Sequence, residues 1–309
     1  MAQIQLKVYS NELQKQLFPQ NSFYKKSLGL TGLAADAATF EIPQLGSVGE
    51  AKEGAPLILP LQVKKSDDDS TTGTMKLLYC DPILVEDEED IVTNYSKRQA
   101  KQQQQASALN TRAADYAAKM WMPTATGTII VTTGSTRATN LVGLTSTRKA
   151  VTKTDMLNVF NALLRHNIGD IPGNLYGLVT ADAYTDLLGI SDFVDYNKTG
   201  YVSKLEQGIL GKICGIEIMV RSKNGSIGAW YDANNVVVTS VATSGTDRPA
   251  SIFWHDALVC HAEAHPKTLI KADDPTYLGT VLNSTVRFGA EKCRKDQKGV
   301  VALAEVPSS

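Results

Sequence analysis

The chain has 309 residues, of which 43% are hydrophobic, so it can bury a substantial core and holds about two domains' worth of material. Lys and Arg total 31 against 32 Asp and Glu, and the formal net charge of -1 excludes a global basic field for sequence-specific DNA binding. The four cysteines are widely spaced without a C-x-x-C pair, and no apolar run reaches the roughly 18 residues of a membrane span, so we expect neither disulfides nor a membrane segment.

The first 85 residues are predicted to form extended pieces that need a partner surface. Residues 1–37 mix a short amphipathic piece with a Gly-rich stretch, which is too little to close a core. Strand patterns lie at 39–45, 57–65 and 74–85, and the polar segment 66–73 is predicted to be the turn between the last two. Such a hairpin has too few strands to be stable alone, so we expect its apolar residues to dock on another surface.

The segment from Glu86 to Trp121 is predicted to be one long helix. It contains neither Gly nor Pro, and one helix face is indicated by residues at spacings of three and four: Val92, Tyr95, Gln99, Gln102, Ala106, Leu109, Ala113, Tyr116 and Met120. The acidic residues 87–90 and the basic Lys119 complement the helix dipole, Pro123 stops the helix, and the expected length is roughly 50 Å. The Gln run 102–105 is interpreted as solvated helix positions instead of a low-complexity linker.

The rest of the chain alternates short strands with two further helices. Residues 124–150 are interpreted as turns around a short strand at 128–132, and Thr152 with Asp155 matches a capping box at the start of a helix. A strand at 175–179, a helix at 181–188 and a loop at 192–207 follow. Later strands are predicted at 212–221 (broken by Gly215), 236–241, 251–254, 280–288 and 300–304. The order indicates an α+β fold with mostly antiparallel sheets.

This order of elements, with several short sequence segments, resembles the major capsid proteins of tailed bacteriophages of the Hong Kong 97 type. The resemblance covers nearly the whole chain and depends on element order together with short segments, not on an invariant motif. The segments that carry it are 151–157 (VTKTDML), 174–184 (NLYGLVTADAY), 208–218 (GILGKICGIEI), 286–292 (VRFGAEK) and 299–303 (GVVAL).

The resemblance implies a division of the chain into the parts of that capsid fold. Residues 1–37 would be the N-arm and 38–85 the protruding β-hairpin called the E-loop. The spine helix would lie in a peripheral P-domain at 86–150, and a central axial A-domain would span 151–249. Residues 250–309 would supply return strands, mainly to the P-domain.

The resemblance also implies a function in self-assembly. The expected product is an icosahedral virion head built from pentamers and hexamers of this chain, assembled in the cytoplasm of the bacterial host and enclosing double-stranded DNA without sequence-specific binding. The roughly 35 residues before the E-loop are too few for a fused scaffolding domain, so a separate scaffolding protein and a portal are the expected partners. No enzyme activity, cofactor or metal is expected. Extended arms suit the heterologous contacts of a closed shell.

Candidate inter-subunit contacts fall on the arm, the hairpin and the 192–207 loop. They are Phe18, Phe23, Tyr24, Leu57, Leu59, Lys64, Lys65, Asp67, Asp68, Asp69, Tyr196, Lys198 and Tyr201. Some relatives cross-link neighbours through a lysine and an asparagine, and Lys64 and Lys65 lie where such a lysine would lie. The sequence identifies no partner for that reaction.

One cluster looks chemical: His255, Cys260, His261, Glu263 and His265 lie within eleven residues. The order H-E-x-x-H of zinc proteases is absent, and the alternation from Val259 favours a strand, so a polar strand face near a subunit contact is preferred to a metal site. Two alternatives to the phage capsid stay open at this stage. One is an encapsulin-like cellular nanocompartment shell with the same fold, and the other is a metal-dependent enzyme that uses this cluster.

Overall fold

Two β-sheets and one long helix organise the computed structural model of the chain. The structure describes residues 21–30, 38–44, 53, 68–86, 97–139, 141, 146–166, 168, 171–190, 211–239, 245–264, 266–274, 276 and 279–308. None of the helices in these ranges is long and apolar enough to cross a membrane.

The first sheet has seven strands and is organised around its longest strand, β16. It contains β1 (Leu28–Gly29), β2 (Thr39–Gln44), β3 (Asp69–Tyr79), β4 (Ile83–Glu86), β14 (Val259–Glu263), β15 (Lys267–Asp274) and β16 (Gly279–Lys292). The strand β16 pairs antiparallel with β14, β15, β3 and β4, while β2 pairs with the first half of β3.

The second sheet has eight strands and mixes parallel with antiparallel pairing. Its strands are β5 (Ile129–Val131), β8 (Leu175–Val179), β9 (Lys212–Ile213), β10 (Ile216–Val220), β11 (Trp230–Tyr231), β12 (Val237–Val238), β13 (Arg248–His255) and β17 (Val300–Ala304). The short strands β6 (Thr136–Ala138) and β7 (Thr147–Lys149) form a separate hairpin. The α+β class expected from the sequence is therefore confirmed, with few helices and large sheets.

Three α-helices are described: α1 (Lys97–Trp121), α2 (Lys153–Arg165) and α3 (Ala181–Leu188). The predicted capping box of α2 is present, because the Thr152 hydroxyl accepts from the Asp155 N–H and the Asp155 carboxylate accepts from the Thr152 N–H. Thr180 caps α3 in a similar way through the Ala183 N–H.

The helices cover both faces of the eight-stranded sheet. On one face, Tyr176, Leu178 and Trp254 pack with Phe288 of the first sheet and the small residues of α1 in the largest buried cluster. On the other face, strand residues such as Phe253 pack against the apolar sides of α2 and α3 in a second cluster. Residues of β13 and β8 alternate between these two clusters, as the period of two in a strand requires.

The structure corrects several predicted strands and turns. The segment 66–73 was expected to be a turn, but from Asp69 it belongs to β3 and pairs with β2. The predicted strand 74–85 is two strands that both pair with β16, interrupted at 80–82 where Pro82 has no N–H to donate. The predicted strand 212–221 is a tight hairpin, because Cys214 and Gly215 have φ values of 50° and 80° and reverse the chain.

The long helix is also shorter than expected. Glu86 ends β4 instead of starting the helix, residues 87–96 lie outside the described part, and the 25 residues of α1 span about 38 Å. The helix ends at Trp121 before Pro123, with Lys119 in its last turn, as predicted. Ala106 of the predicted face is exposed, whereas Gln105 is 3% exposed.

The burial of Gln105 corrects its interpretation as a solvated position. Its side-chain amide donates to the Asp81 and Leu282 carbonyls and accepts from the Ser284 hydroxyl. The buried amide therefore supplies hydrogen bonds to backbone carbonyls at the interruption between β3 and β4, where strand pairing does not satisfy them.

Candidate assembly surfaces

Residues 21–30 are fastened to the body of the protein by aromatic packing. Phe23 and Tyr24 are only 4% and 3% exposed. The ring of Phe23 lies edge-on to Trp121 at 5.9 Å and to Trp254 at 6.3 Å, and Tyr24 lies edge-on to Phe288 at 5.3 Å between ring centroids. Edge-to-face pairs of this kind add to the hydrophobic gain of burying the rings.

Polar contacts hold the same segment against both sheets. The Trp254 indole N–H donates to the Lys26 carbonyl at 2.8 Å, and β1 pairs in parallel with β14. The Ser27 hydroxyl lies 2.7 Å from His261 Nδ1, and the Leu30 N–H donates to the His261 carbonyl. Burial lowers the pKa of His261, with a further decrease from the nearby Lys25, which favours the neutral ring.

These contacts correct the expectation for two candidate residues. Phe23 and Tyr24 were predicted to touch a neighbouring subunit, but both rings lie in the chain's own core, where burial of apolar rings stabilises this segment. Neither ring is available to another subunit in this structure. The contact could not be predicted from the sequence pattern, because Phe23 and Trp121 are about a hundred residues apart.

The base of the predicted E-loop is anchored to the end of β16. Phe40 of β2 is 4% exposed and crosses the backbone at Gly73 and Gly289, where a side chain would overlap its ring. The Gln44 side-chain amide donates to the Cys293 carbonyl at 2.7 Å. The described base of this hairpin, β2 with the first half of β3, is therefore fixed to the body of the protein.

The acidic candidates near this base are on the surface. Asp68 and Asp69 are both exposed, and Asp69 forms an ion pair with Lys295. The hydrogen bond from Lys295 lowers the pKa of Asp69, helped by the Ser70 N–H. The other candidates on the arm, the hairpin and the 192–207 loop, as well as the predicted strand 57–65, lie outside the described residues: Phe18, Leu57, Leu59, Lys64, Lys65, Asp67, Tyr196, Lys198 and Tyr201.

The seven-stranded sheet exposes apolar side chains on the face that points away from α1. Alternate residues of β16 are buried toward α1, and their neighbours point to the opposite face. On that opposite face Leu77, Tyr79 and Leu269 are 55%, 69% and 60% exposed. This surface was not predicted from the sequence, because β15, which carries Leu269, was not predicted as a strand.

The histidine cluster is divided between different parts of the fold. His255 ends β13 in the eight-stranded sheet, whereas Cys260 and His261 point to opposite faces of β14. His261 is 9% exposed beneath residues 24–29, so the expected polar strand face is in fact covered by the chain's own segment. His265 lies outside the described residues, and among the described residues no group of three or more His, Cys, Asp or Glu side chains is placed to hold a metal ion.

The four cysteines are free thiols with different environments. Cys214 is exposed at the β9–β10 turn, and Cys80 is half-buried. Cys260 and Cys293 are buried as neighbours on one face of the seven-stranded sheet, and the contact with Cys293, together with burial, raises the pKa of Cys260.

Comparison with known proteins places this fold among the phage shells. No family model and no curated protein matches the chain. Among solved structures, the capsid of cyanophage P-SCSP1u is 17% identical with a TM-score of 0.68, and the match covers 97% of this chain and 92% of that one. The cyanophage Pam1 capsid is 13% identical with a TM-score of 0.65, covering 97% and 96%. The Ralstonia phage GP4 capsid is 10% identical with a TM-score of 0.65, covering 98% and 95%. The chain therefore has the fold of the phage capsid proteins, as its sequence pattern predicted.

Proposed function

We propose that this protein is the major capsid protein of a tailed bacteriophage. The observation that carries the proposal is the extent of the structural match, which covers nearly all of this chain and nearly all of the phage capsid chains. No large part of the chain is left over for a separate activity. Self-association into a shell accounts for the whole fold.

The surface features of the described residues support a role in self-association. Exposed Leu77, Tyr79 and Leu269 form an apolar face on the seven-stranded sheet, and exposed apolar groups of this kind mark interaction surfaces. The β2–β3 ladder has a fixed base, and the segment 45–67 between its strands carries five of the thirteen predicted contacts. We propose that this hairpin contacts a neighbouring subunit.

The proposed shell consists of pentamers and hexamers that close into an icosahedral head around double-stranded DNA. Chains in a closed shell make heterologous contacts, which form rings when the rotation between neighbours closes. A separate scaffolding protein and a portal would direct assembly in the bacterial host cytoplasm. The near-neutral charge agrees with a container that does not bind DNA by sequence. The role is structural, without a catalytic step.

The proposed division of the chain remains a P-domain at 86–150 and an A-domain at 151–249, and it matches the two sheets only in part. The helix α1 packs on the seven-stranded sheet and α2 and α3 pack on the eight-stranded sheet, but β5 of the range 86–150 also lies in the eight-stranded sheet. Of the return strands, β14, β15 and β16 lie in the first sheet, whereas β13 and β17 lie in the second.

Electron microscopy of the purified chain, expressed alone and with a scaffolding protein encoded beside it, tests the proposal. We expect closed icosahedral particles, and DNA-filled heads when the particles come from infected cells. If only monomers or small oligomers formed under every condition, the proposal would fail. Particles filled with a cargo enzyme instead of DNA would support a nanocompartment shell.

A further inference from the structure

A basic groove lies between α1, β3 and the turn that follows β10. One side is a stripe of α1 formed by Arg112, Asp115, Tyr116 and Lys119, which recur at spacings of three and four. Lys76 and Leu78 of β3, the turn residues 223–228 and Trp230 form the other walls. The groove is open on one side and has a volume of about 260 Å³, enough for one or two side chains.

The charges in this groove are unbalanced. Its one carboxylate, Asp115, is only 9% exposed and is already bound by Arg221 at 2.7 Å and by Lys223. Lys76 lies over the Tyr116 ring at 5.4 Å from its centroid. Within the described part of the chain, no carboxylate is in ion-pair distance of Lys76, Arg112 or Lys119. The groove therefore attracts an anionic group.

The chain itself contains a complementary anionic segment. Residues 86–90 are five consecutive acidic residues, the longest such run in the sequence. In their own copy, Glu86 pairs with Gly279, about 30 Å along β16 from Phe288, the partner of Lys76 in the groove. The groove and the start of the run therefore lie at separate positions along β16, so each can meet its counterpart on a neighbouring copy.

We propose that this groove binds carboxylates of the acidic run 86–90 of a second copy of the chain. The inference rests on the proposed self-assembly and names one of its contacts. A groove of this volume fits one or two side-chain carboxylates, whereas a duplex needs basic groups spread along its length. Opposite charges across a contact fix the register of neighbours and reject wrong ones.

A charge-swap experiment tests the proposal with the full chain. The groove variant is Arg112→Glu with Lys119→Glu, and the run variant is Glu88→Lys with Glu89→Lys. Shell yield is measured by light scattering and electron microscopy in about 0.1 M salt, where charges interact over about 10 Å. We expect each variant to weaken association about tenfold or more, and the combined variant to recover most of it, because a reversed groove then meets a reversed run.

Matched controls separate this effect from a general charge effect. Arg165→Glu with Lys212→Glu reverses two exposed basic residues outside the groove and should assemble like the wild type. Arg165 lies in the last turn of α2, as Lys119 lies in the last turn of α1. Because Arg112 and Lys119 are exposed, the groove variant should unfold within a few degrees of the wild type, with a small loss from reversing Lys119 at the end of α1.

Three results would overturn the inference. The first is that the groove variant and the run variant both assemble like the wild type. The second is that the combined variant assembles even less than either of them. The third is that the groove variant assembles normally but no longer binds a short DNA duplex. If the wild-type chain formed no shells, the proposed function itself would fail. If the wild-type chain formed shells and the variants assembled equally well, only the proposed contact would be rejected.

Discussion

Replacing Arg137 by Met should strongly destabilise the folded subunit. Its guanidinium binds three carboxylates, with N–O distances of 3.2 Å to Asp182, 2.9 Å to Asp186 and 2.8 Å to Glu305. It thereby joins the β6–β7 hairpin, α3 and the segment after β17. Glu305 has a side chain only 1% exposed and also accepts from the Thr180 hydroxyl at 2.9 Å.

The magnitude follows from the charges that the substitution leaves behind. Without the cation, three carboxylates that are at most 12% exposed face one another. Breaking a buried ion pair by removing one partner costs about 3–5 kcal/mol of unfolding free energy. The matched control is Arg294, whose ion pair with Asp296 is on the surface, with side chains 50% and 38% exposed. Arg294→Met should therefore lower the unfolding free energy by about 1 kcal/mol or less.

The loss should also depend on pH in a defined direction. Burial already raises the pKa of Glu305, and Arg137 opposes this increase. Removing Arg137 raises that pKa further above its unfolded value, so the folded variant binds more protons than the unfolded chain. The deficit should therefore be largest at neutral pH and should shrink as the pH falls toward the raised pKa.

Urea unfolding of the unassembled subunit, followed by tryptophan fluorescence at pH 7.5 and at lower pH, measures both effects. An Arg137→Met variant that loses no more stability than Arg294→Met would contradict the buried role of Arg137. A stability deficit that grows as the pH is lowered would contradict the expected protonation of Glu305.

Three further predictions concern single sites. Gly73→Ala should destabilise the subunit by about 1–3 kcal/mol in urea unfolding, because the new Cβ would overlap the buried Phe40 ring. A thiol reagent followed by mass spectrometry should modify Cys214 first and leave Cys260 unmodified in the native subunit, since Cys214 is exposed and the raised pKa of the buried Cys260 disfavours its thiolate. Lys292→Met should lower stability by about 1–3 kcal/mol in the same unfolding assay, because its ammonium donates to two carbonyls at the end of α1.

Each of these predictions has an internal comparison. Gly245→Ala adds a methyl group where no atom lies within 4 Å and should leave stability nearly unchanged. Labelling of Cys260 at the rate of Cys214 would contradict its burial in the sheet. A Lys292→Met subunit as stable as the wild type would show that the carbonyls of Met120 and Met122 are equally satisfied by water.

Local signals predicted the second half of the fold well. The capping box at Thr152 and Asp155 starts α2 as expected, and the strand at 175–179 has the predicted bounds. The strand β17 also matches its predicted range of 300–304. These elements are specified by side-chain capping and by short apolar runs, which depend on neighbours in the sequence.

Long-range contacts explain what the sequence did not show. From the sequence, Phe23 and Tyr24 were interpreted as part of a free arm, but in the structure Phe23 packs against Trp121 and Trp254. Gln105 was interpreted as solvated, but backbone groups at the gap between β3 and β4 are its hydrogen-bond partners. In each case the deciding partner is distant in the sequence. The basic groove was missed for the same reason, since its walls come from three separate segments.

The most direct test of the central claim is a cryo-electron microscopy map of the particles that this chain forms. We expect a closed icosahedral shell in which copies of this fold form rings of five and six, with the 38–85 hairpin of each copy lying on a neighbour. A map of a small closed oligomer, or of a shell in which this hairpin contacts only its own copy, would contradict it.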